Sequence, residues 1–425
     1  MRALGPLSLA AGIVNITVGG GIFRLPAAVA DSLGAAAPLA YVVVAAAMAL
    51  IVLCFAEAGS RVALTGGPYA YVEVAFGPLV GFLAGVLLWL VGTFALAAVA
   101  TLIPDAVSAF APALGSTGAR GALLAVIFVA LGWINVVGVR QGARLNVVLT
   151  IAKLLPLLLV AIVGAASMRA EHLAWPGAPS GSNLARTCVL LVFAFAGVES
   201  ALVPSGEVRD PARTVPRAIL VAMVSITVLY LALQLVAQGV LGPELAAKRT
   251  PLAEVAARVL GPWGRALLLG GAAVSMLGYV SGMILAVPRA LYAFARDGFL
   301  PSALAAVHAA HRTPYVAIVV QGLLAWLLAV SGTFEKLAIL ANVSTLVLYA
   351  ACCAAAWELR RRDVRAGGVP FRVPLAGIVP ALAILVIVAL LTSVTAKEWA
   401  VVAGVELAGA LLYVVTRARR APQPA

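Results

Sequence analysis

Four ionisable residues fall inside apolar stretches long enough to lie in lipid: Arg24, Lys153, Glu199 and Glu406. A charge at the centre of a bilayer costs at least ~2.5 kcal/mol even on insertion scales, so such groups usually face the protein interior and a partner. Lys153 lies nine residues after Arg144, about 13 Å along a helix, which puts its ammonium near mid-depth. Glu199 stands two residues after Gly197 and is expected to accept from backbone N–H groups at a helix break or to share a proton. Arg24 is expected to snorkel, and Glu406 to make an oligomer contact or a local polar pair. His172, His308 and His311 fall in loops, and no His/Cys/carboxylate cluster has ligand spacing, so no metal is expected. No Gly-Lys-Ser/Thr phosphate loop occurs either. Nucleotide hydrolysis is therefore not expected, and no cofactor is implied.

Two helices are interrupted. The first contains Thr17-Val18-Gly19-Gly20-Gly21-Ile22-Phe23, and each mid-helix glycine costs on the order of 1 kcal/mol relative to alanine. The sixth contains Phe195-Ala196-Gly197-Val198-Glu199-Ser200. Breaks five helices apart are the layout of two inverted five-helix halves whose broken helices meet at the midplane. Freed N–H groups after the first break form the positive end of a half-helix and suit a carboxylate. Carbonyls near Thr17, Val18, Phe193 and Ala196 suit an ammonium. A zwitterion fits both. The competing reading is that Gly19 to Gly21 only let helices pack closely.

These residues need a helical frame. The chain of 425 residues is 64% hydrophobic and 11% charged, against roughly 25% charged in a soluble domain. Apolar segments near 7–30, 36–58, 79–104, 120–139, 144–167 and 187–208 are followed by six near 217–239, 264–294, 315–331, 336–357, 375–393 and 399–416. Most exceed the ~17 to 25 residues that cross a hydrocarbon core, and only a helix satisfies its own backbone there. The expectation is an all-α polytopic membrane protein of about 12 transmembrane helices. Residues 1–170 form the first half, broken near 18–22; residues 186–360 form the second, broken near 195–199; residues 374–425 hold two peripheral helices and a tail.

The net charge of +13 follows topology rather than a nucleic-acid surface. With the N-terminus inside, inner loops carry about twice the Arg and Lys of outer ones, which places both termini in the cytoplasm. The expected location is the inner (cytoplasmic) membrane. Residues 1–30 resemble a secretory signal, with Arg2 before an apolar run and Ala28-Val29-Ala30 as a cleavage-like triplet, but eleven further spans make them a first helix. Cys54, Cys188, Cys352 and Cys353 fall in predicted helices, so no structural disulfide is expected. The basic stretch Arg360 to Pro374 reads as an orientation signal beside anionic lipid. The external connections near 168–186 and 240–264 could cap a vestibule.

At this level of detail the chain resembles the amino acid–polyamine–organocation superfamily of secondary transporters. The matching stretches are Gly19-Gly20-Gly21-Ile22-Phe23 with Pro26, Glu57 and Arg61 leading into Gly66-Gly67-Pro68-Tyr69-Ala70-Tyr71, and Phe195-Ala196-Gly197-Val198-Glu199-Ser200-Ala201 with Glu207, Pro211, Arg213, Pro216 and Arg217. Ala295-Arg296-Asp297-Gly298-Phe299-Leu300-Pro301 and Thr313-Pro314 follow. The resemblance implies a LeuT-like fold of five plus five inverted helices with two peripheral ones, working by alternating access. It implies that Val18 to Ile22 and Phe193 to Glu199 hold an amino acid's main chain, with Phe193 or Phe195 as an aromatic gate. By position on helix eight, Met283 would line the side-chain pocket, where the arginine/agmatine exchanger carries a tryptophan. A serine common between the helix-one glycines is Gly20 here, so one hydroxyl contact is missing. In proton-coupled members a helix-five lysine stands in for a sodium ion near the helix-one break. Lys153 is thus the candidate coupling residue; a permanently charged strut bonded to helix-one carbonyls is the alternative.

The substrate-binding candidates are Thr17, Val18, Gly19, Gly20, Gly21 and Ile22 on the first break, with Phe193, Ala194, Phe195, Ala196 and Glu199 on the second, and Met283. An apolar lining with no acid besides Glu199 points to neutral amino acids rather than arginine or polyamines. Trp89, Asn342, Ser344 and Thr345 are further candidates that sequence alone does not place. Glu57 with Arg61, and Glu207 with Arg209 and Arg213, read as inward-gate pairs at helix ends, where surface pairs are worth little. Transport is expected to be proton-coupled, with exchange lacking net proton coupling as the alternative. The protein is expected to be a monomer or homodimer that binds lipid and a small amino acid and no nucleic acid. A lipid-modifying enzyme would need several intramembrane His, Asp or Glu residues, and a channel would need rings of like groups. Neither pattern occurs.

Overall fold

The computed structural model describes residues 6–419 apart from 63, 65–66, 109–110, 138–141, 176, 203–209, 312, 366–368 and 376; for 142–153, 200 and 201, among others, it describes the backbone alone. The described residues form helices and connecting turns, with no strand among them. In chain order the helices are α1 (Pro6–Thr17), α2 (Leu25–Leu33), α3 (Ala37–Arg61), α4 (Pro68–Phe76), α5 (Pro78–Ser108) and α6 (Thr117–Val137). Next come α7 (Gly142–Ala165), α8 (Gly181–Phe195), α9 (Val198–Ala201), α10 (Pro211–Leu241), α11 (Pro251–Leu260) and α12 (Pro262–Ala286). The last are α13 (Pro288–Arg296), α14 (Tyr315–Ser331), α15 (Phe334–Arg361), α16 (Ile378–Leu391) and α17 (Ala396–Arg419).

Seven helical stretches are long and apolar enough to cross a membrane, and α8, α14 and α16 are shorter apolar helices. The two broken spans, α1 with α2 and α8 with α9, each count as one pass. The longer unbroken helices among the described residues are α3, α5, α6, α7, α10, α12, α14, α15, α16 and α17. The chain is thus a polytopic, all-helical membrane protein. The face that holds the C-terminal ends of α3 and α15 is called here the near face.

Pro and Gly set the boundaries. Pro38 opens α3, Pro68 opens α4 and Pro78 opens α5, each within the first turn, where a missing N–H is harmless. Gly77 at φ 88° and Gly261 at φ 78° close α4 and α11 in the left-handed region that glycine tolerates. Burial separates the core from the lipid-facing shell: α5 and α15 are buried along most of their length, whereas α6 and α17 expose most of theirs. On the far face the connection 242–260 is not a loose cap. It folds as a 3-10 segment (Gly242–Ala247) and α11, whose Leu252, Val255 and Ala256 are buried.

Candidate functional site

The first break begins where α1 ends at Thr17. The amide of Val18 still bonds back to Val14 (2.9 Å), but that of Gly19 turns onto the Thr17 carbonyl (2.7 Å). A 3-10 turn, Gly20–Phe23, follows, and α2 restarts the span at Leu25 with Pro26 in its first turn. Glycines that favour no helix and a proline that offers no N–H explain this two-part helix. The amides of Gly20 and Gly21 open the turn, ahead of its first i→i−3 hydrogen bond.

The second break follows Phe195. Ala196 adopts extended backbone, and Gly197 takes φ 122°, a conformation open to glycine and strained for other residues. The Glu199 side chain folds back onto this break: its Oε2 accepts from the Gly197 amide (2.8 Å) and from the Tyr349 hydroxyl of α15 (2.6 Å). Glu199 is 2% exposed, so the carboxyl substitutes for a missing helical acceptor in a dry setting.

The two breaks touch. A Cβ on Gly197 would sit 3.1 Å from Ile16 Cγ2 and 3.2 Å from both the Thr17 amide nitrogen and its Cα. A Cβ on Gly21 would meet Phe193 at 2.8 Å. Glycine is therefore required on both sides of the junction. Between the breaks lies a cavity of about 40 Å³. Thr17, Gly19, Gly20, Gly21 and Ile22 form one wall; Phe193, Ala194, Ala196, Gly197 and Glu199 form the facing one. α5 contributes Val91, Ala95 and Val99; α12 contributes Tyr279 and Met283; α15 contributes Ala341, Asn342 and Thr345.

A family model described as amino acid permease matches residues 4–411. The chain belongs to the amino acid permease family. Similar curated proteins include a branched-chain amino acid permease of Bacillus subtilis, 28% identical over 90% of this permease and 86% of the relative. An arginine/agmatine antiporter of Chlamydia felis is 30% identical over 82% and 78%. The large neutral amino acids transporter small subunit 2 of Rattus norvegicus is 28% identical over 79% and 66%.

Within this permease, most of the residues singled out by sequence share the cavity, and several do not. Phe195 points away from it: residues 193 and 195 are about 200° apart around a helix, so one ring enters the cavity and the other leaves it. Phe195 packs edge-on against Tyr230 (5.4 Å between centroids). Phe193 packs edge-on against Phe334 (5.4 Å) at the start of α15, which makes it the ring between the cavity and the far face. Val18 is fully buried but is not on the wall. Trp89 instead donates to Gln321 Oε1 of α14 (2.9 Å), and Gln321 donates to Thr93 (3.0 Å), so this trio clamps α5 to α14. Ser344 bonds its own helix at Leu340. The backbone of Lys153 is helical, and its side chain lies outside the described residues, as do Glu207 and Arg209.

Thr17's carbonyl is not a free ammonium acceptor. It already receives the Gly19 amide and the hydroxyl of Tyr230 (3.0 Å). Tyr230 and Tyr349, which brace the two breaks, were not singled out by sequence. The available signal was a tyrosine within an apolar span, because a buried phenol hydroxyl seeks a partner.

Glu57 and Arg61 correct the expectation of a weak surface pair. Glu57 is 1% exposed and Arg61 2%. Glu57 Oε1 accepts from Arg61 Nε (3.0 Å), Arg61 Nη2 (2.9 Å) and Arg360 Nε (2.6 Å); Oε2 accepts from Arg360 Nη2 and from the Val373 amide (3.1 Å). The loop between α15 and α16 covers this cluster, which ties the near-face ends of α3 and α15 together. On the far face Arg24 donates to Glu335 (3.2 Å) and to the Lys248 carbonyl (2.9 Å) rather than simply reaching for water. Glu406 Oε1 has no partner among the described residues.

Proposed function

We propose that this permease is a secondary transporter that carries neutral amino acids across the cytoplasmic membrane by alternating access, with both termini cytoplasmic and transport coupled to protons. One observation carries the reading: two unwound helix segments meet backbone to backbone and wall a single cavity. The amides of Gly20 and Gly21 suit the substrate carboxylate, and carbonyls around Phe193 and Ala196 suit its ammonium.

Neutral substrates are favoured because Glu199, the only acid on the cavity wall among the described residues, already holds Gly197 and Tyr349. The remaining wall is largely apolar. A cavity of about 40 Å³ has room for about three waters, so an amino acid enters only after helices part. Contacts are available to control this on each side, Phe193 on Phe334 and Arg24 on Glu335 at the far face and the Glu57 cluster at the near face. Residues 1–170 and 186–360 act in this reading as inverted halves, with one break in each.

Lys153 is assigned the proton-coupling role from its mid-depth position on α7. The test is uptake into proteoliposomes, guided by a thermal-shift screen against the twenty amino acids and common amines. Neutral amino acids should stabilise the protein, show saturable uptake and counterflow, and accumulate faster with an inward proton gradient. Stabilisation by arginine or agmatine alone would overturn the substrate assignment. Uptake that requires substrate on the opposite side and ignores the gradient would support exchange. A Lys153→Ala protein that keeps full, pH-dependent uptake would remove Lys153 from the coupling step.

A further inference from the structure

Asn342 stands on the cavity wall contributed by α15 and is completely buried. Its Nδ2 donates to two backbone carbonyls of α8, Val189 (2.7 Å) and Leu190 (3.1 Å). Both acceptors are carbonyls, so the orientation of the amide is fixed: nitrogen towards α8, oxygen the other way. That oxygen, Oδ1, is buried and has no hydrogen-bond partner among the described residues. An acceptor left dry in this way has lost its water without gaining a partner, a penalty that a ligand donor would remove.

The neighbouring hydroxyls do not meet this need. Thr345 donates to Ala341 (2.9 Å) and Ser344 to Leu340 (3.1 Å). α5 and α12 line the same cavity with Val91, Ala95, Val99, Tyr279 and Met283; Tyr279 alone of these five has a side-chain donor, and it does not pair with the Asn342 oxygen.

We infer that Asn342 is a specificity-determining residue, whose Oδ1 accepts a hydrogen bond from the substrate's side chain. The inference rests on the amino-acid transport reading and narrows it: the preferred substrates are neutral amino acids whose side chain bears a hydroxyl or carboxamide donor. Purely aliphatic side chains of equal size leave the Asn342 oxygen unpaired and bind less well.

Threonine and valine have nearly the same shape and differ by one hydroxyl, so they isolate this contact. In proteoliposomes containing the full-length protein, threonine should have a KM lower than that of valine by roughly tenfold. Serine should outcompete alanine in the same direction. In Asn342→Leu the threonine-to-valine ratio should collapse to within about twofold, because the hydroxyl then has no acceptor. A wild-type protein that handles threonine and valine equally overturns the inference, and this measurement decides the matter even if the variant fails to fold. A variant in which uptake of both falls in proportion, with the ratio preserved, also overturns it, since that is the signature of a structural or main-chain role. If no amino acid is transported at all, the functional reading itself fails; neutral uptake without discrimination defeats this inference alone.

Discussion

The Tyr230 hydroxyl of α10 donates to the carbonyl oxygen of Thr17, the last residue of α1, at 3.0 Å. A helix broken in mid-membrane leaves carbonyls that lipid cannot satisfy, and a phenol on the adjacent span supplies one of the missing donors. Removing that hydroxyl with Tyr230→Phe should cost about 1 kcal/mol of interaction. If the break is part of the transport site, catalytic efficiency of uptake should fall about fivefold while the melting temperature barely changes. Initial uptake rates and thermal unfolding in detergent, measured together, check this.

Gly197 should resist substitution more than any ordinary helical glycine. An added Cβ would combine a positive φ of 122° with contacts of 3.1 to 3.2 Å to Ile16 and Thr17. Strain of this kind costs about 1–3 kcal/mol. Gly197→Ala should therefore abolish ligand-induced thermal stabilisation. The matched control is Gly270→Ala in α12, where an added Cβ meets nothing within 4 Å; it should be neutral or slightly stabilising, by up to ~1 kcal/mol.

Gly20, where the family resemblance leads one to expect a serine, is closely packed. A Cβ there would approach Val99 Cγ1 at 2.8 Å and Met276 Cγ at 3.0 Å. Gly20→Ser alone should lower uptake by forcing the break away from α5. Adding Val99→Ala should restore at least part of the activity. An uptake assay on the single and double variants distinguishes crowding from loss of the glycine itself, since only crowding is relieved by the second change.

The Glu57 cluster predicts a large loss of stability from a single atom group. Glu57→Ala leaves Arg61 and Arg360 without their shared carboxylate, and breaking a buried pair in this way costs about 3–5 kcal/mol. The expected result is poor membrane yield or a sharply lowered melting temperature. Arg361→Ala, which removes an exposed partner of Glu358, should leave the melting temperature unchanged. Equal effects of the two substitutions would show that the buried cluster contributes nothing special.

The all-helical fold, membrane residence and the two interruptions were legible in the sequence because each has a local signature: apolar length, a run of glycines, a Gly and a carboxylate inside a span. What could not be read was direction. A break resets the helical phase, so nothing local says that Phe193 faces the cavity while Phe195 turns to Tyr230. Trp89 was likewise ambiguous, since its partner Gln321 is distant in sequence. Glu57 looked like a surface residue because its cover, the segment around Phe371 and Val373, comes more than 300 positions later. Asn342 lay in a stretch whose neighbours, Ser344 and Thr345, are equally polar; only the direction of its amide separates it from them.

α15 carries Glu335 at its start, then Asn342, Tyr349 and Arg360, and so reaches Arg24, the cavity, Glu199 and Glu57 in turn. Its 28 residues span about 42 Å as one unbroken helix. A rigid rod touching both entrances and the chamber between them cannot tilt at one end alone. In an alternating-access cycle of the kind proposed above, opening either entrance would transmit a displacement to the other, and the stiffness of a single helix would make the two openings mutually exclusive.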